Sequence, residues 1–70
     1  MTLKDANVDV EYTIKSVYTD DEELKKFLFS LGCYEGEPIT VIKHLRGSLI
    51  VAIKDARYDI DNNLADAIEI

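Results

Sequence analysis

The chain has 70 residues, of which 47% are apolar, and its 14 acidic residues against 8 basic ones give a net charge of −6. This length predicts one domain, spanning residues 1–70. The excess of acidic residues disfavours nucleic acids and anionic membrane surfaces as partners, because both attract Lys and Arg. Cys33 is the only cysteine, so no intramolecular disulfide is expected, and a lone thiol suits a reducing compartment.

The N-terminal residues lack the apolar segment of a signal peptide, and no apolar run approaches the roughly 20 residues that span a bilayer. We therefore expect a soluble, cytoplasmic protein with no direct membrane insertion. Apolar and polar residues alternate over residues 8–14, which predicts a half-buried strand. The alternation slips at residues 15–18, where we expect a bulge or the end of the strand.

A helix is predicted over residues 20–31. Thr19 and Glu22 have the spacing of a capping box at its start, and Gly32 stands where a left-handed C-cap is expected. One apolar stripe at helical spacing comprises Leu24, Phe27, Leu28 and Leu31. Phe29 lies off this stripe, where it either covers an edge of the barrel or contributes to an exposed apolar patch.

The rest of the chain is typical of short antiparallel strands joined by tight turns. Residues 61–63 also have the composition to cap one turn of helix at residues 64–65. The prediction is a mostly β protein, a small antiparallel barrel of about five strands with one α-helix after the first strand, closing one end of the barrel. The expected strands are residues 8–14, 39–45, 49–54, 57–60 and 67–70.

The sequence offers few residues for catalysis or for metal binding. It has one histidine, His44, which is eleven positions from Cys33, and no spacing typical of a zinc site. Residues 59–63 resemble the start of a calcium loop, but Leu64 and Ile70 stand where that loop needs Gly and Glu. We therefore expect no enzyme and no required cofactor. We expect Cys33 to be a small buried hydrophobic residue and His44 to be a surface residue of a strand. Both stay weak candidates for binding Fe(II) or another divalent metal.

Residues 24–39 resemble the signature of the FeoA family: a helix ending in Leu-Gly, a second glycine a few residues later, and then an alternating strand. Gly47 with Leu49, Val51 and Ile53 is similar to the central hairpin of that family. The resemblance covers nearly the whole chain. It implies an SH3-like barrel and a small cytoplasmic protein of bacterial ferrous iron uptake. It also implies a partner, the cytoplasmic part of the membrane transporter FeoB.

We therefore expect an accessory or regulatory protein that binds FeoB through an apolar or aromatic patch near the end of the helix. The residues expected in that patch are Phe29, Cys33 and Tyr34. Two alternatives stay open. One is a metal-binding or metal-sensing SH3-like domain that uses His44, Cys33 or the acidic C-terminal third. The other is an SH3-like protein-interaction adaptor unrelated to iron.

Overall fold

The computed structural model describes all residues, 1–70, and contains two antiparallel sheets, two α-helices and one short 3-10 turn. Neither α-helix is long and apolar enough to cross a membrane. The helices are α1, Glu22–Leu31, and α2, Asn62–Asp66, and the 3-10 turn is Leu3–Asp5. The strands are β1 (Glu11–Thr13), β2 (Ser16–Val17), β3 (Pro38–His44), β4 (Ser48–Ile53), β5 (Ala56–Asp61) and β6 (Ile68–Glu69).

The larger sheet has the strand order β1-β3-β4-β5, and the smaller one pairs β2 with β6. In the larger sheet Val41 lies opposite Val51, and Leu49 lies opposite Ile60. These four side chains are all buried, because alternate residues of a strand point to the same face. The fifteen residues of the core are all apolar, and no polar or charged residue is buried.

The prediction of one strand over residues 8–14 is wrong at its N-terminal half. Val8 forms only an isolated bridge to Val41, and regular pairing begins at Glu11. The cause lies at Asp9, whose φ of 65° is left-handed, a conformation that interrupts an extended strand and that Asp tolerates better than most residues. Val8 and Val10 consequently stay exposed, at 42% and 43%.

The slip in alternation at residues 15–18 marks the point where the chain leaves one sheet and enters the other. Ile14 is buried at this point, and its N–H donates to the carbonyl oxygen of Glu37. Lys15 already donates to the carbonyl of Glu69, beside β6. The strand end expected here is confirmed. The continuation, β2, is a separate strand, so the protein has six strands where about five were predicted.

Helix α1 begins two residues later than predicted, and its N-cap is Asp21. The Asp21 carboxylate accepts hydrogen bonds from the N–H groups of Glu23 and Leu24, whereas the Thr19 hydroxyl accepts only from the N–H of Asp21. The predicted capping box of Thr19 and Glu22 is therefore wrong. A carboxylate is a better acceptor than a hydroxyl for the free N–H groups at the start of a helix, because its negative charge also interacts favourably with the helix dipole.

The predicted C-terminus of α1 is confirmed at Gly32, which is left-handed with a φ of 97°. The apolar stripe is narrower than predicted. Leu28 is fully buried, Leu24 and Leu31 are half-buried, and Phe27 is 49% exposed. Consecutive residues are about 100° apart around a helix. Because Leu28 is the one fully buried residue of α1, its neighbours Phe27 and Phe29 both face solvent.

The single helical turn expected at residues 64–65 is confirmed as α2. Its N-cap is Asp61, whose carboxylate accepts a hydrogen bond of 2.9 Å from the N–H of Leu64. This second helix packs against the 3-10 turn and against β4, β5 and β6. The C-terminal end of α1 lies against β4, where a Cβ atom added to Gly32 would be 3.2 Å from Cγ2 of Ile53.

Candidate functional site

Two aromatic side chains meet at the end of α1. Phe29 lies in the last turns of the helix, and Tyr34 follows the left-handed turn at Gly32 that reverses the chain. Their ring centroids are 6.0 Å apart with an interplanar angle of 78°, an edge-to-face arrangement that aromatic pairs favour. Phe29 is 50% exposed and Tyr34 is half-buried, so the pair presents an apolar surface to solvent.

A lysine from the turn between β4 and β5 joins this pair. The Nζ atom of Lys54 donates a hydrogen bond of 2.9 Å to the hydroxyl of Tyr34. It is also 5.2 Å from the ring centroid, but the hydroxyl contact places the ammonium at the edge of the ring, where cation–π attraction is weak. The hydrogen bond to Tyr34, followed by the negative charges of Tyr34 and Glu37, raises the pKa of Lys54 above its ordinary value.

An open pocket of about 180 Å³ lies beside Phe29, between α1 and β2. We call it the α1–β2 pocket. Its five lining residues are Ser16, Val17, Lys25, Phe29 and Glu35. The pocket therefore combines an aromatic wall with one cationic and one anionic side chain. Edge strand β2 forms one side and helix α1 the other.

Cys33 lies next to the aromatic pair in sequence but points into the core. Its side chain is fully buried, and its N–H donates to the carbonyl oxygen of Leu28. Burial raises the pKa of the Cys33 thiol to about 11, so the thiol is protonated at neutral pH. Metal binding and nucleophilic attack both require the thiolate. Of the three residues expected in the partner-binding patch, only Phe29 and Tyr34 reach the surface.

His44 lies at the far end of β3 from the aromatic pair. Its Nε2 atom is 2.9 Å from the carbonyl oxygen of Ala6, to which it donates a hydrogen bond. The structure does not bring Cys33 and His44 together, since Cys33 precedes β3 and His44 is the last residue of that strand. No group of three or more His, Cys, Asp or Glu side chains is arranged to hold a metal ion.

Sequence reasoning found the aromatic pair but missed Lys54 and the α1–β2 pocket. Lys54 adopts a φ of 56° in the two-residue turn between β4 and β5. Left-handed turn positions usually hold Gly, Asn or Asp, so a lysine gives no signal of this geometry. The pocket joins residues of β2, of α1 and of the loop that follows, and only the tertiary fold brings these segments together.

A family model described as the FeoA domain matches residues 1–70, the whole of the sequence. The chain belongs to the FeoA family. This confirms the resemblance seen in residues 24–39 and in the central hairpin. FeoA proteins are small accessory proteins associated with ferrous iron transport.

Solved structures share the fold of this FeoA domain at low sequence identity. The FeoA of Stenotrophomonas maltophilia, solved with zinc and described as a procaryotic SH3 domain protein, superposes with a TM-score of 0.86 at 19% identity, covering 99% of this chain and 87% of that one. Iron(II) transport protein A from Clostridium thermocellum gives a TM-score of 0.89 at 24% identity, and a manganese-dependent transcriptional repressor gives 0.89 at 21%.

The superposition on the Clostridium chain covers 99% of this FeoA domain but only 43% of that chain. The superposition on the repressor covers 97% of this domain but only 39% of the repressor. At these identities the likeness establishes the fold, which is SH3-like and mostly β, as predicted. No curated protein matches the sequence.

Proposed function

We propose that this FeoA domain is an accessory protein of bacterial ferrous iron transport that binds the cytoplasmic part of the transporter FeoB. The observation that carries the proposal is the match of the FeoA domain over residues 1–70. On this proposal the domain works in the cytoplasm and regulates the transporter by contact, without chemistry of its own.

The surface that supports binding is the aromatic pair. Phe29 is half exposed in a helix whose core contact is made by Leu28, so it contributes little to the fold. Large exposed aromatic side chains beside a pocket are typical of protein interfaces. Cys33 belongs to the core, so we no longer assign it a contact with the partner.

The test is capture of the purified cytoplasmic part of FeoB by the immobilised domain, with wild-type protein compared with Phe29→Ala and Tyr34→Ala. Both variants are expected to weaken capture about tenfold, the usual effect of truncating one well-packed interface aromatic. Phe27→Ala is the matched control, because Phe27 is equally exposed at 49% but lies about 200° around α1 from Phe29.

Capture that is lost equally in Phe27→Ala and Phe29→Ala would show that the aromatic pair is not the contact. A wild-type domain that captures no FeoB would contradict the proposal itself and would favour an adaptor unrelated to iron. Circular dichroism of each variant separates loss of binding from loss of fold.

Metal binding is a second candidate, favoured because the Stenotrophomonas relative was solved with zinc. Titration of the domain with Fe(II) or Mn(II), monitored by amide NMR, distinguishes metal binding from the first proposal. Saturable shifts at submillimolar metal concentration, clustered at His44 or at Asp59, would support a metal site. Weak shifts spread over the acidic residues would reflect only counterion attraction.

A further inference from the structure

We propose that residues 19–33, which we call the α1 segment, open and reclose as one unit while the two sheets stay folded. The closed form carries one wall of the α1–β2 pocket and half of the aromatic pair, because Lys25 and Phe29 belong to this segment. The opened form has neither feature, and it exposes the thiol of Cys33. The opening does not depend on the identity of the partner, whereas its effect on capture of FeoB rests on the proposed function.

All hydrogen bonds of the α1 segment stay within the segment. At its start, the Asp21 carboxylate and the Thr19 hydroxyl accept only from N–H groups of the segment. At its end, the N–H groups of Gly32 and Cys33 donate to carbonyl oxygens of α1. No hydrogen bond and no salt bridge joins residues 19–33 to the rest of the protein. Separation of the segment from the sheets therefore breaks no hydrogen bond.

The α1 segment also contributes little to the core. Of the fifteen core residues only Leu28 and Cys33 belong to it, and Leu24 and Leu31 pack half-buried against the core. Helix α1 makes only isolated contacts with other elements, whereas α2 packs against the 3-10 turn and three strands. Because a helix is held on a protein chiefly by burial of its apolar face, α1 is weakly held.

The chain on either side of the segment is anchored to the sheets. The N–H of Tyr18 donates to the carbonyl oxygen of Ala67, and the N–H of Gly36 donates to that of Ile14. Both hydrogen bonds lie outside the segment, so the sheets keep them when it opens. A helix of ten residues is too short to persist alone in water, so the released segment unwinds.

Tyr34 reinforces the closed form from just beyond the segment. Its ring packs on Phe29, and its hydroxyl accepts the hydrogen bond from Lys54. Segments with few buried contacts open at a lower free energy than the whole protein, and binding surfaces are often drawn from such segments. A partner that contacts the aromatic pair binds only the closed form. Binding must therefore protect Cys33, and a change that favours opening must weaken capture.

The experiment is labelling of Cys33 with methyl methanethiosulfonate in increasing urea, quantified by mass spectrometry. The thiolate takes the methylthio group of the reagent, and methanesulfinate leaves. Cys33 is the only cysteine, so every label reports on this residue. Wild type is expected to label at least about tenfold faster than global unfolding allows, as measured by circular dichroism. The urea dependence of labelling should be at most about half that of global unfolding, because the opening exposes less surface.

Three variants separate the opening from global unfolding. Leu28→Ala removes the main apolar contact of the segment and should speed labelling about thirtyfold or more. Leu24→Ala truncates a half-buried side chain, should speed labelling about fivefold, and provides the test if Leu28→Ala does not fold. Ile60→Val is the control, because Ile60 pairs with β4 at the end away from Ile53 and Gly32. It should raise the equilibrium constant of global unfolding about fivefold and change labelling less than about twofold.

Labelling that follows global unfolding in rate and in urea dependence would overturn the inference. So would labelling without any urea dependence, or labelling that Ile60→Val speeds as much as Leu24→Ala does. The cytoplasmic part of FeoB, at about ten times its dissociation constant, is expected to slow labelling about tenfold. An opening that FeoB leaves unchanged would support the opening and contradict the proposed contact with FeoB. Capture of FeoB by a domain that labels only through global unfolding would contradict the opening alone.

Discussion

The Nζ atom of Lys54 lies 2.9 Å from the hydroxyl oxygen of Tyr34, and this hydrogen bond joins the β4–β5 turn to the segment that follows α1. Tyr34 in turn packs edge-to-face on Phe29. Three separate segments thus contribute to one surface. The contact is solvent-exposed, so its effect is expected on the position and protonation of Lys54 more than on global stability.

Replacement of Tyr34 by phenylalanine removes the acceptor of this hydrogen bond. Because the hydrogen bond to Tyr34 is the largest cause of the raised Lys54 pKa, the variant should return that pKa towards 10.5. The stabilisation linked to this shift is present below pH 10.5 and is lost as the pH rises through the raised pKa. The variant therefore lacks this contribution to the free energy of unfolding below pH 10.5, and the contribution is absent from both proteins above the raised pKa. NMR titration of the Lys54 side chain measures the change.

Tyr12→Phe is the control, because the Tyr12 hydroxyl accepts its hydrogen bond from the N–H of Asn7 and not from Lys54. It should leave the Lys54 titration as in wild type. A Lys54 pKa that stays raised in Tyr34→Phe would mean that Glu37, the other named cause, dominates.

Gly32→Ala should be the most destabilising of the glycine substitutions. All three glycines have positive φ, so alanine is strained at each, by about 1 kcal/mol. Only at Gly32 would the new Cβ also meet a neighbour, Cγ2 of Ile53 at 3.2 Å, whereas Gly47 has open space. Urea unfolding should therefore show a loss of about 2 kcal/mol for Gly32→Ala and about 1 kcal/mol for Gly47→Ala. Equal losses in the two variants would show that β4 shifts to accommodate the new Cβ of Gly32→Ala without a loss of stability.

Asp21→Ala tests the start of α1. The Asp21 carboxylate accepts two backbone hydrogen bonds, from Glu23 and Leu24, and loss of such an N-cap lowers the free energy of unfolding by about 1 kcal/mol. Thr19→Ala, which removes a single hydrogen bond to the N–H of Asp21, should lower it less. Urea unfolding measures both losses. A larger loss of stability in Thr19→Ala than in Asp21→Ala would indicate that Thr19 is the N-cap.

The buried thiol of Cys33 predicts a loss of stability in alkali. Its pKa is raised from 9.0 to about 11 by burial, so above pH 9 the unfolded chain ionises this thiol while the folded chain keeps its proton. Unfolding then releases a proton, and stability falls with rising pH by up to about 1.4 kcal/mol per pH unit until the folded thiol ionises. Urea unfolding at several pH values between 8 and 11 measures this slope.

Cys33→Ala supplies the reference for that slope, since it removes the thiol and keeps every other titrating group. The difference in unfolding free energy between wild type and variant should shrink as the pH rises above 9.0, the ordinary thiol value. Parallel pH profiles would contradict a protonated, buried thiol.

Much of the fold could be predicted because local sequence determines it. Gly32 ends α1 through its left-handed conformation, and Asp61 caps α2 through its own carboxylate. The two strands around Gly47 follow from alternation and a glycine turn. Phe29 and Tyr34 could be named as surface candidates because the end of α1 was placed correctly.

The rest depended on contacts between distant segments. Residues 14–15 turn from one sheet to the other because Glu37 and Glu69 supply carbonyl acceptors there, and neither is near in sequence. Phe27 fits the helical stripe as well as Leu28 does, but the narrow contact of α1 with the sheet leaves it exposed. Cys33 was placed in the partner-binding patch because it lies with Tyr34 at the joint between α1 and β3, but its position in the sequence does not show that its side chain points into the core.

The pairing of β2 with β6 has a consequence for synthesis. Val17 finds its partner, Ile68, only near the end of the chain, whereas β3, β4 and β5 form a meander of sequential neighbours. Loop closure between distant strands is entropically unfavourable until local structure has formed. On the ribosome the meander can therefore assemble before β2 pairs with β6. The α1–β2 pocket would then be completed last, after residue 68 has left the exit tunnel.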